Sequence, residues 1–142
     1  MKLTFLGANQ QVTGSRYCLE AGDARIFIDW GLVQEREFLS RNWEPSPVPP
    51  SEVDALLLTH VHIDHSGLLP KLVAEGYNGP VYATQPSVDL AEVMLRDSAR
   101  IQTEDIAYKI RRHKKEGRRG KFPEAPLYTE ADVEATLPLF RG

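Results

Sequence analysis

Ala55-Leu56-Leu57-Leu58-Thr59-His60-Val61-His62-Ile63-Asp64-His65-Ser66-Gly67 is the stretch on which the reading of this chain turns. Residues 55–58 are a short unbroken apolar run, the pattern of a strand buried on both faces. The run delivers three histidines and an aspartate within six positions. In an extended segment, side chains two apart point the same way, so His60 and His62 can converge on one ion. Asp64 and His65 are adjacent and point differently, which suits a second ion. Imidazole with carboxylate is a zinc-type donor set, with iron or manganese also compatible. Two ions about 3.5–4 Å apart can clamp a phosphate between them and lower the pKa of a bound water to about 7. A lone histidine is usually structural. Three of the chain's four, interleaved with an acid after a buried strand, form the pattern of a metal site instead.

Outward from the motif, Ser66–Glu75 reads as a helix stopping at Gly76, and Gly79-Pro80 turns the chain into a further buried strand, Val81–Thr84. Strand, helix, strand implies a crossover unit and a parallel pair. Upstream, Lys2–Leu6, Arg16–Glu20 and Ala24–Asp29 are strand candidates, the last two joined by Ala21-Gly22-Asp23, so the sheet starts antiparallel. Residues 45–50 (Pro-Ser-Pro-Val-Pro-Pro) form a loop, and Ser51-x-x-Asp54 can cap one helical turn. Downstream, Pro86 opens a long helix dissolving near Gly117. Thr129-x-x-Asp132 is a capping box for a last helix holding Val133, Leu137 and Phe140.

The string from Leu58 to Gly67 resembles the signature of the metallo-β-lactamase superfamily. That resemblance implies that His60 and His62 bind one zinc ion, that Asp64 and His65 bind another, and that Asp64 belongs to the catalytic centre. Asp29 matches the aspartate that orients the site without ligating; read from the residues alone, it is equally a strand-end acid accepting backbone N–H bonds. Val12-Thr13-Gly14-Ser15, Asp29-Trp30-Gly31-Leu32-Val33-Gln34, Leu68-Leu69-Pro70-Lys71-Leu72, Asp97-Ser98-Ala99-Arg100-Ile101-Gln102 and Pro126-Leu127-Tyr128-Thr129 resemble the β-CASP branch of RNA-cleaving nucleases. The branch usually has Cys where Trp30 stands.

The fold class implied is α/β: the N-terminal part of an αββα sandwich, a mixed sheet flanked by helices. Members of the superfamily draw a third histidine for the first metal, a bridging aspartate and a further histidine from later segments. Residues 1–142 are therefore expected to be an N-terminal portion, without the second half of the sandwich or a β-CASP insertion. About two donors per ion predict weak metal binding and no turnover by the isolated chain. An open inner sheet face predicts self-association or a companion chain. The activity implied is phosphodiester cleavage of RNA by metal-activated hydroxide. The alternatives are another superfamily hydrolase, a thioesterase or lactonase, or a non-catalytic scaffold.

With 42% hydrophobic and 26% charged residues the composition is that of an ordinary globular domain. No apolar run approaches the ~20 residues of a membrane span. Cys18 is the only cysteine, which excludes an intrachain disulfide and suits a reducing compartment; cytoplasmic is the expectation. The net charge of −3 hides a strong asymmetry. Residues 109–121 hold eight cations (Lys109, Arg111, Arg112, Lys114, Lys115, Arg118, Arg119, Lys121) against Glu116, so this window carries +7. The remainder, with 9 basic and 19 acidic residues, carries −10. The cluster reads as a flexible basic loop, either a contact for single-stranded RNA through Arg111, Arg112, Lys114, Lys115, Arg118 and Arg119 or a solvated linker. No aromatic residue interleaves until Phe122, so little base stacking is expected. His113, among these cations, is expected at the surface and not as a ligand.

Overall fold

The computed structural model describes all residues 1–142. Six strands form one sheet in sequential order: β1 (Lys2–Phe5), β2 (Arg16–Ala21), β3 (Ala24–Trp30), β4 (Ala55–Leu57), β5 (Val81–Tyr82) and β6 (Phe140–Arg141). The first three pair antiparallel, and β3 to β6 pair parallel. The helices are α1 (Ile63–Ser66), α2 (Leu69–Ala74), α3 (Gln85–Glu116) and α4 (Glu130–Thr136). None is long and apolar enough to cross a membrane.

Alternation along the strands decides which face is covered. Cys18, Phe27, Leu56, Val81 and Phe140 point into a core completed by Leu68, Leu69, Leu72, Ala91, Leu95, Ala99 and Val133 from the helices. The opposite face carries Leu3 and Phe5, then Leu19 and Tyr17, then Ile26 and Ile28, then Ala55 and Leu57, then Tyr82, aligned by register across five strands. Phe5, Leu57 and Tyr82 are 59%, 41% and 48% exposed, so an apolar face of this sheet meets water.

Three elements differ from the sequence expectation. The helix expected over Ser66–Glu75 is two helices, because Pro70 has no N–H to return to the preceding turn and sits instead at the start of α2. The last helix does form on the Thr129/Asp132 capping box, but it ends at Thr136. Pro138 tightens the next residues into a 3-10 turn, and Phe140 becomes strand, paired with Val81. Ser51 caps no turn: it lies inside a 3-10 turn (Pro50–Glu52) that starts from Pro49 without a side-chain cap, and the Asp54 carboxylate accepts instead from the Arg25 backbone N–H at 2.7 Å.

The basic cluster is not a flexible loop. Lys109, Arg111, Arg112, Lys114 and Lys115 lie on α3, and only Arg118, Arg119 and Lys121 follow it. His113 is not at the surface either. It is 7% exposed, with Nδ1 2.7 Å from Glu124 Oε1. Gly120 makes this possible: a Cβ there would lie 2.7 Å from His113 Cε1, so only glycine lets the chain fold back over the imidazole.

Candidate metal centre

The motif begins where β4 ends. Leu58 N–H still bonds to Tyr82 O, at 2.8 Å; the chain then bends at Thr59, and His62, extended with φ −56° and ψ 147°, precedes α1. Helix geometry then starts, with His65 and Ser66 N–H both bonding back to His62 O at 2.9 Å. This turn swings His65 towards His60. Their ring centroids are 4.0 Å apart, closer than the 4.7 Å between His60 and His62. His65 Nε2 lies 3.5 Å from Asp64 Oδ2 and its ring also contacts His60.

Asp29 organises the site. It is 1% exposed and takes φ 56°, a left-handed conformation that Asp and Asn tolerate better than most residues. Its carboxylate accepts from Ser15 Oγ (3.0 Å), Thr59 N–H (2.8 Å), Thr59 Oγ1 (2.9 Å) and His65 Nδ1 (2.7 Å). It thus joins β2, β3 and the motif, combining the backbone-capping and orienting readings. The Thr59 hydroxyl lies 3.1 Å from His60 Nδ1. With protons on Nδ1 of His60 and His65, each Nε2 keeps a free lone pair. Burial lowers the pKa of His60, as do the neighbouring imidazoles of His65 and His62, against the carboxylates of Asp29 and Asp64. That favours the neutral donor form.

The Val12-Thr13-Gly14-Ser15 string supports this frame. Glu35 accepts from the N–H groups of Val12 and Thr13 and from the Thr13 hydroxyl, which holds its carboxyl at about 2. Ser15 N–H bonds to Asp64 O at 2.9 Å. Trp30, standing where the β-CASP branch usually has Cys, stacks on Phe27 at 4.6 Å. Above it sits Arg16, whose Nε donates to Gly31 O and whose pKa burial lowers to about 10.

The donor chemistry fits a divalent ion, because three imidazoles, two of them oriented through Nδ1 by Thr59 and Asp29, stand beside a carboxylate. The donor count is incomplete. No three His, Cys, Asp or Glu side chains of this chain are arranged to hold one ion. The cations Arg111, Arg112, Lys114 and Lys115 lie near the C-terminal end of α3, and Arg118 and Arg119 follow it, remote in sequence from these donors.

This combination of fold and motif defines a class of metallohydrolase domain: the chain belongs to the metallo-β-lactamase superfamily, whose domain matches residues 18–122, and that membership implies divalent-metal binding. Among its relatives is ribonuclease TTHA0252 of Thermus thermophilus, 48% identical over 73% of this chain and 24% of the relative. The transcription termination factor FttA of Methanocaldococcus jannaschii is 30% identical over 100% of this chain and 20% of its own length. The Integrator complex subunit 11 of Danio rerio is 31% identical over 71% and 18%. The chain thus spans about a quarter or less of the length of these relatives.

Proposed function

We propose that this chain is the metal-motif portion of a β-CASP-type ribonuclease that cleaves single-stranded RNA. The observation that carries the reading is the His60–His62–Asp64–His65 cluster, oriented by Asp29, in a chain 48% identical over 73% of its length to a named ribonuclease. In this reading His60 and His62 contribute to one zinc ion, and Asp64 and His65 to a second, with further donors from residues outside 1–142. The bound ions would supply Lewis-acid activation of water for attack on a phosphodiester. Thr59 and Asp29 orient the His60 and His65 imidazoles through Nδ1. Cys18, buried and free, suits work in the cytoplasm.

Zinc content tests the site. The purified chain is expected to retain zinc weakly, and a His60→Ala/His62→Ala double variant to lose it by at least 10-fold in affinity. Cleavage of a labelled single-stranded RNA, with a thioester as control substrate, tests the activity in a polypeptide that carries the remaining donors. Equal zinc binding by the double variant sinks the ligand assignment, and thioester turnover without RNA cleavage sinks the substrate.

The open sheet face bears on domain organisation. Residues 1–142 are proposed as the N-terminal portion of a sandwich whose second half, on further residues of a longer polypeptide, covers Leu3, Phe5, Tyr17, Leu57 and Tyr82. The shared basis is the length of the relatives and the register-aligned apolar face. The chain by itself is then expected to self-associate in sedimentation, and Phe5→Glu/Leu57→Glu/Tyr82→Glu to shift it to monomer. A wild-type chain that stays monomeric and binds no apolar dye contradicts this organisation.

A further inference from the structure

We propose that the cavity between the second half of α3, the loop over 117–127 and the loop over 31–43 is a nucleotide subsite. It would bind one base and its phosphate beside the metal motif. The inference rests on the RNA reading above and adds to it a specific place for the strand.

The cavity measures about 590 Å³, within the range of small-ligand pockets. Its walls are set in advance. On one side, the buried Asn42 side chain bonds to both Val33 N–H (2.9 Å) and Val33 O (2.8 Å), fixing the loop that carries Trp43. On the other, His113 holds Glu124, Gln102 Oε1 accepts from Leu127 N–H at 3.0 Å, and Arg118 N–H bonds to His113 O. A loop returning over α3 is thereby clamped at both ends.

The lining matches a nucleotide in two respects. Trp43 and Phe122, both half-buried, bring aromatic surface to the basic cluster, which the sequence order had kept apart. Lys109, Arg112 and Lys121 supply cations. Lys109 and Lys121 make no ion pair with any carboxylate, whereas Arg112 and Arg118 share Glu116. Cations left unneutralised by their own chain argue against a simple charge-balanced linker. Two carboxylates also face the cavity. Glu124 is taken by His113, and Asp105 is unpaired, which disfavours a bare phosphate and suits a ligand whose neutral base donates hydrogen bonds.

The position is equally specific. Leu32 and Val33 line the cavity, while Leu32 N–H bonds to Ile63 O at 2.9 Å, at the start of the helix that carries Asp64 and His65. Cavity and motif therefore share one wall. A strand held by its base at Trp43 and Phe122 is thereby linked, through Leu32, to the turn that carries Asp64 and His65.

Trp43 fluorescence tests the proposal, with Trp43→Phe used to subtract the buried Trp30. The full chain is titrated with 5′-AMP, with a hexameric oligoadenylate and with inorganic phosphate. Quenching by AMP and by the oligomer, and none by phosphate, is expected. Trp43→Ala or Phe122→Ala should weaken binding roughly 5- to 100-fold through lost stacking. Lys109→Gln/Arg112→Gln/Lys121→Gln should weaken the oligomer at least 10-fold and reduce its log-affinity against log-salt slope by about 2. Tighter, salt-dependent binding of the oligomer assigns the site to the RNA chain. Equal affinity for AMP and oligomer supports the site and assigns it to free nucleotides. No Trp43 response to either ligand, or unchanged affinity and slope in the triple variant, overturns it. Filter retention of RNA separates the two readings. RNA held by a chain whose Trp43 is silent removes the subsite and leaves the ribonuclease reading; AMP bound without RNA does the reverse.

Discussion

Replacing Asp29 with alanine is expected to lower the unfolding free energy by about 3–5 kcal/mol, the range for removing one partner from a buried charged network. The buried Asp29 carboxylate satisfies four neighbouring donors: the Ser15 hydroxyl, the Thr59 N–H and hydroxyl, and His65 Nδ1. Alanine leaves these donors without their acceptor, in a place where water does not readily replace it. It also puts a residue less suited to the left-handed region at φ 56°. The Asp29→Asn variant is the informative comparison, since asparagine tolerates that φ and keeps one carbonyl oxygen for Thr59. It should cost less stability than Asp29→Ala while still weakening the hold on His65. Metal affinity should fall roughly 10- to 100-fold in both, because the imidazole loses the partner that fixes its tautomer and direction. Urea unfolding and zinc titration measure the two effects separately. An Asp29→Ala chain within about 1 kcal/mol of wild type would mean that the network does not hold the strands to the motif.

The chemistry of the candidate site was legible in the sequence because its donors occupy one contiguous string. His60 to His65 need only the end of one strand and one helical turn to assemble, and both were marked by local signals, an apolar run and a polar break. The capping box at Thr129 and Asp132 was legible for the same reason. What escaped depends on residues meeting across long stretches of chain. A two-residue strand such as β6 has no periodicity to read, and only pairing with Val81 makes Phe140 part of the sheet. His113 looked like one more polar residue among cations until Gly120 and Glu124 folded over it. Trp43 stood far from the basic cluster until the loop over 31–43 returned to α3. The closeness of His65 to His60 also required the turn after His62, where helix periodicity replaces strand alternation.

Gly31→Ala is expected to cost about 3 kcal/mol or more and to disrupt the metal motif together with the fold. A Cβ at residue 31 would lie 1.7 Å from Asp64 O, 2.3 Å from its carbonyl carbon and 2.9 Å from His65 N. Overpacking usually costs about 1–3 kcal/mol because side chains can move to new rotamers. Here every near atom belongs to backbone, so no rotamer change gives relief. The end of β3 and the start of α1 must separate. Leu32 N–H to Ile63 O (2.9 Å) joins them directly, and Ser15 joins them indirectly, its O accepting from Gly31 N–H (3.0 Å) and its N–H donating to Asp64 O (2.9 Å). Separation also draws His65 from Asp29, since the first moves with α1 and the second with β3. Stability and zinc affinity should consequently fall together, unlike Asp29→Asn, where affinity should fall more than stability. Urea unfolding followed by circular dichroism, with zinc titration of the folded fraction, reads both. A Gly31→Ala chain that keeps wild-type stability and zinc affinity would mean that the motif does not pack on the β3 end as closely as 1.7 Å implies. A chain too unstable to fold is the same prediction at its upper limit, because the motif backbone is then the contact that decides whether this half of the sheet closes.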